Sequence, residues 1–73
     1  MFQKNLFRAK LVSLEITLKD AASIIGVNEA TLHRKMNGSS DFTRNEIQLL
    51  RQALNLSAAE VDEIFFAPQL TFK

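Results

Sequence analysis

Four helix-start residues constrain this chain more than any other feature. Thr17, Asn28, Thr43 and Ser57 each carry a short polar side chain of the kind that accepts a hydrogen bond from the free amides of a first helical turn. Thr43-x-x-Glu46 and Ser57-x-x-Glu60 have the reciprocal capping pattern, and Asp20 follows Thr17 at a position that favours the same helix end. Gly26 and Asn37-Gly38 supply left-handed stops. Between these signals apolar residues recur at helical spacing, and β-branched alternation is absent. The pattern predicts an all-α chain of five short helices. The first covers about residues 3–14, the second about 17–26 and the third about 28–37. The fourth and fifth open at Thr43 and Ser57. Ser39-Ser40-Asp41 is the clear polar loop, and Pro68 ends regular helix.

The inward positions follow from the same spacing. Phe7, Leu11 and Leu14 share one face of the first helix, with Lys4, Arg8 and Lys10 outside it. Ile47, Leu50, Ala53 and Leu54 are expected inside from the fourth helix, and Val61, Ile64 and Phe65 from the fifth. Phe42, just before the Thr43 cap, is placed to meet Ile47 as a hydrophobic staple. At 73 residues the chain is one domain, and without Cys its core is held by packing alone or with a partner chain. Six Phe supply the large pieces of that core.

Enzyme chemistry finds little to build on. One His and no Cys exclude paired metal-ligand spacings and a thiol nucleophile. No strand-turn-helix frame presents a serine, and Gly26 and Gly38 are too far apart for a phosphate-cradling loop. Asp62 and Glu63 belong to a solvated helix face. The chain is therefore read as a non-enzyme with no metal and no cofactor. No apolar run approaches a membrane span or a secretion signal, so a cytoplasmic protein without membrane contact is expected. Charge is uneven. Lys4, Arg8, Lys10, Lys19, Arg34, Lys35 and Arg44 outweigh Glu15, Asp20, Glu29 and Asp41 in residues 1–44, whereas Glu46, Glu60, Asp62 and Glu63 outweigh Arg51 and Lys73 beyond them. That asymmetry suits a domain that turns one end to an anion, and ordinary scatter of surface charge suits it equally.

Ile24 to Gly38, IIGVNEATLHRKMNG, carries the functional signal. At about 100° per residue, Leu32 and Met36 point one way, while Ala30, His33, Arg34 and Asn37 form a continuous opposite face. Ala22, Gly26-Val27 and Leu32 occupy alanine, glycine-hydrophobic and hydrophobic anchor positions that resemble the Cro/phage-repressor type helix-turn-helix family. Thr31 to Gly38, Phe42 to Ile47 and the ending NLSAAEVDEIFF, residues 55–66, are similar to the recognition helix, the start of helix four and the last two helices of small phage-encoded members. The resemblance spans about residues 7–66. It implies a compact five-helix bundle containing a helix-turn-helix, a lambda-repressor-like DNA-binding domain over residues 1–66 with a tail at 67–73.

The same resemblance implies a sequence-specific transcriptional regulator, a phage- or prophage-derived repressor. It would dock residues 28–37 in the major groove of a double-stranded operator, as a homodimer, with no separate inducer or protease-sensing domain. Glu29, Ala30, His33 and Arg34 would face bases: Arg34 a guanine edge, Glu29 a cytosine amine, Ala30 a thymine methyl. Lys19, Thr31, Asn37, Ser39, Ser40 and Arg44 would contact phosphates, Thr31 and His33 lying where either contact is open. Each residue also has a plainer role: Glu29 stabilising its helix start, Asn37 ending the helix, Lys35 lying along the core edge, Ser39 and Ser40 simply forming a loop. Two positions depart from the family. Leu18 stands where a phosphate-binding glutamine is common, and Glu15 where a glycine is frequent. Phe65, Phe66, Leu70 and Phe72 offer apolar area for a dimer interface or for covering a neighbouring helix. A reading of another class treats the domain as a protein-binding module, an antirepressor that masks a phage repressor protein.

Overall fold

The computed structural model describes residues 2–67, and every regular element among them is helical. In order these are α1 (Lys4–Ser13), α2 (Leu18–Ile25), α3 (Glu29–Met36), α4 (Arg44–Leu54) and α5 (Ala58–Phe65). None is long and apolar enough to cross a membrane.

The caps do what their residue types dictate. Thr43 and Ser57 accept from the amides of Glu46 and Glu60, whose carboxylates accept back from the cap amides. Thr17 and Asp20 close the same reciprocal pair, so the second helix also opens on a full capping box. Asn28 Oδ1 accepts from the Thr31 amide at 2.7 Å, which fixes where α3 begins. Gly26 ends α2 at φ +77°, a left-handed conformation that costs an L side chain about 1–2 kcal/mol.

The core draws on all five helices. α2 packs against α3 and α4, and α5 packs against α1 and α4. Phe7, Leu32, Leu50 and Leu54 are its largest fully buried side chains. Phe2 lies against Phe7, Phe42 and Phe65 with ring centroids 5.4, 4.8 and 5.4 Å away. The Gln3 amide donates to the Ile64 carbonyl at 2.7 Å and ties the start of the described chain to α5.

Two inward assignments are corrected. Ala53 is exposed, because α4 is covered by α2 and α5 on its other sides and, among the described residues, none overlies its final turn there. Leu14 is 39% exposed, because α1 stops at Ser13 and the chain reverses through Glu15, which adopts φ +58°. Lys10, placed outside the apolar stripe, is only partly exposed and pairs with Glu60 at 2.9 Å, bridging α1 to α5.

Candidate functional site

α3 is held from beneath and open above. Leu32 and Met36 are buried and fasten the helix to the core. Residues 26–28 turn the chain between α2 and α3, and the two helices pack on each other. This leaves Glu29, Ala30, Arg34 and Asn37 exposed, with Thr31 and His33 half-buried at the margins. The outward set expected from the sequence therefore occupies one surface.

The polar groups on that surface are already organised. Arg34 Nη2 donates to Thr31 Oγ1 at 3.0 Å, which steadies the guanidinium and engages the threonine hydroxyl within α3. His33 Nε2 lies 3.9 Å from Glu29 Oε2, a contact that is ionic only when the imidazole is protonated. Asn37 is the C-cap of α3, and its Oδ1 accepts from Lys4 Nζ at 3.3 Å. The Ser39 amide returns to the Arg34 carbonyl at 2.9 Å, so the turn after α3 is fixed through Gly38 at φ +88°. Ser39 and Ser40 are exposed on this turn, and Arg44 is exposed at the first position of α4. Lys19 is exposed in the first turn of α2.

Lys35 has a different role. Its Nζ lies 3.0 Å from Glu46 Oε1, donates to the Asp41 carbonyl at 3.0 Å and stands 5.9 Å from the Phe42 ring centroid. One cation thus closes the α3–α4 loop from inside. Burial pushes the Glu46 carboxyl up, yet the Thr43 amide and then the Lys35 ammonium hold it below its ordinary value. This pairing and the Lys4–Asn37 contact were not visible in the sequence, because helical periodicity carries no signal for contacts between separate elements.

The apolar residues considered for a partner chain separate. Phe65 is buried among the aromatic rings and unavailable to another molecule. Phe66 is 57% exposed. Leu70 and Phe72 lie outside the described residues.

The site therefore defines a small all-α domain that displays an anchored helix with a polar, cation-bearing outer face. No family model, curated protein or solved structure matches the chain.

Proposed function

We propose that α2, the turn at 26–28 and α3 form a helix-turn-helix, and that the protein is a sequence-specific DNA-binding transcriptional regulator of the Cro-like phage or prophage type. The observation that carries this reading is the anchored α3, buried through Leu32 and Met36, with Ala30, Arg34 and Asn37 exposed together on the other side. An α-helix presented this way fits the major groove, and its N-terminal half reaches base edges. Arg34 is the strongest reader, since its fork matches guanine O6 and N7. Glu29 and Ala30 lie nearer the helix start, where they meet an adjacent cytosine amine or thymine methyl. Lys19 on α2, Ser39 and Ser40 on the turn after α3, and Arg44 at the start of α4 are exposed and would supply phosphate contacts, which contribute most of the affinity. Asn37 stands among them as a shorter-range contact beside Lys4.

The mechanism is occupancy. A homodimer on two half-sites would exclude polymerase from the promoter, with no catalytic step. Because Glu29 offsets part of the charge of Arg34, a single domain binds modestly and with strong salt dependence, and specificity comes from the paired domains.

A second reading rests on its own observation. Val12 is 75% exposed, and with Leu18 and Arg8 it lines a shallow cavity of about 240 Å³ at the junction of α1 and α2. Such a surface suits a protein partner, as an antirepressor would need. Titration of a labelled random duplex at about 50 mM and about 200 mM salt separates the two readings. DNA binding that falls steeply with salt supports the regulator; no binding at the lower salt contradicts it.

A further inference from the structure

Lys4 and Asn37 meet at the end of α3, although 33 positions separate them in the chain. With Phe2, Met36 and Gly38 they line a shallow cavity of about 250 Å³, and none of these five residues is acidic. Lys4 is exposed at the first position of α1, where a cation opposes the helix dipole, so the charge does not serve α1 itself. Among the described residues Lys10 and Lys35 are ion-paired with carboxylates, whereas Lys4 hydrogen-bonds only an uncharged side chain. Its charge stands uncompensated at the margin of the α3 surface.

The contact also orients its neighbour. Lys4 Nζ donates to Asn37 Oδ1 at 3.3 Å, so the carboxamide oxygen faces the ammonium and the Nδ2 hydrogens face away from it. Those two hydrogens have no partner among the described residues, and the ammonium has used one of its three donors. The Gly38 and Ser39 amides are already engaged by the carbonyls of Lys35 and Arg34, so the donors open at this corner belong to side chains. One fixed amide donor beside a point charge suits the oxygens of a phosphate, which an ammonium holds without the angular match that a base edge demands.

We infer that Lys4 and Asn37 form a clamp for one backbone phosphate of DNA at the end of α3. Lys4 supplies the charge and holds the Asn37 amide toward the phosphate oxygens. The clamp rests on the DNA-binding reading above; it brings α1 into the interface and adds a contact that carries no base preference.

The test is the salt dependence of binding to a random duplex, measured for the wild type, Lys4→Gln, Lys4→Arg and Arg51→Gln. Arg51 is exposed in the last turn of α4 and serves as the control for losing one positive charge elsewhere. The slope of log K against log salt follows the number of phosphates neutralised. Lys4→Gln is expected to bind several-fold more weakly and to reduce the slope by about 1 for each bound domain, while Lys4→Arg and Arg51→Gln keep the wild-type slope. In an Asn37→Ala background Lys4→Gln should have a smaller effect, because the two side chains act on one phosphate. An unaltered slope in Lys4→Gln, with wild-type binding intact, overturns the clamp alone. An equal fall in Lys4→Gln and Arg51→Gln overturns it as well, since the loss then follows net charge and not place. Additive effects at positions 4 and 37 overturn the pairing. Saturable binding of inorganic phosphate at constant ionic strength, lost in Lys4→Gln, gives the site to a free anion and overturns its assignment to DNA. No binding of the duplex by the wild type overturns the DNA-binding reading and the clamp with it.

Discussion

Lys35 Nζ lies 3.0 Å from Glu46 Oε1, with the two side chains only 10% and 13% exposed, so an ion pair at the core edge joins α3 to α4. A pair this sheltered must offset the desolvation of both charges, and removing one partner leaves the other unpaired in a poorly hydrated place. Glu46→Gln retains the shape of the cap but leaves the ammonium without its anion. It is expected to lower stability by about 1–2 kcal/mol, as is Lys35→Met. In a double-mutant cycle by urea denaturation, the pair should show a coupling energy of about 1 kcal/mol. Additive effects would mean the contact contributes nothing of its own.

The same pair sets a pH dependence. Glu46 is held below its ordinary value near 4.5. The Ser57 amide and the Lys10 ammonium depress Glu60 in the same direction, with burial opposing them. A carboxyl whose folded pKa is depressed contributes stability above its unfolded pKa and loses it as pH falls through the folded one. Wild-type melting temperature should therefore be level near neutrality and fall below about pH 4.5. The deficit of Glu46→Gln should shrink over the same window. Thermal melts of both proteins from neutral to acid pH test this, and a constant deficit would count against it.

Backbone conformation gives a third prediction. Glu15 holds φ +58° in the α1–α2 turn, a position where a side chain is strained and a glycine is not. Glu15→Gly should raise stability by about 0.5–1 kcal/mol, a shift of roughly 2–8 °C in Tm for a chain of this size. Asn55 shares the left-handed conformation at φ +54°, and Asn tolerates it better, so Asn55→Gly should gain less. Gly26→Ala meets no atom within 4 Å and is expected to lose only the strain energy, about 1–2 kcal/mol. Calorimetry on the three variants orders them; a destabilised Glu15→Gly would refute the strain assignment.

The anchoring of α3 is tested in its core. Leu32 is 0% exposed, and Leu32→Ala should cost about 2–5 kcal/mol, enough to unfold much of a domain this small. Ala53→Lys, on the exposed side of α4, should change stability by less than about 0.5 kcal/mol. Equal losses in the two variants by circular dichroism would place the core elsewhere.

The sequence was most informative where structure is local. Caps at Thr17, Asn28, Thr43 and Ser57 depend on residues three apart, so four helix starts could be placed from them, and the spacing of Phe7 and Leu11 placed the first helix. The outward face of α3 was equally legible, because Leu32 and Met36 alone fix its orientation. Ala53 and Leu14 were misplaced because a helical wheel gives a direction but not whether another element lies there to cover it. Lys10–Glu60 and Lys4–Asn37 join positions 50 and 33 residues apart, and only the packing of the helices brings those side chains together. Thr31 Oγ1 accepts from Arg34 Nη2, a local contact that spacing allows but does not require.

The most direct measurement is selection of bound sequences from a random duplex library, carried out in parallel with the wild-type protein and with Arg34→Ala. The wild type is expected to enrich a two-fold symmetric site containing a recurrent guanine in each half. Arg34→Ala is expected to lose the preference at that guanine, by about 1–3 kcal/mol, while retaining binding to random DNA. Enrichment of the same site by both proteins would remove Arg34 from base reading, and no enrichment by the wild type would contradict the DNA-binding function itself.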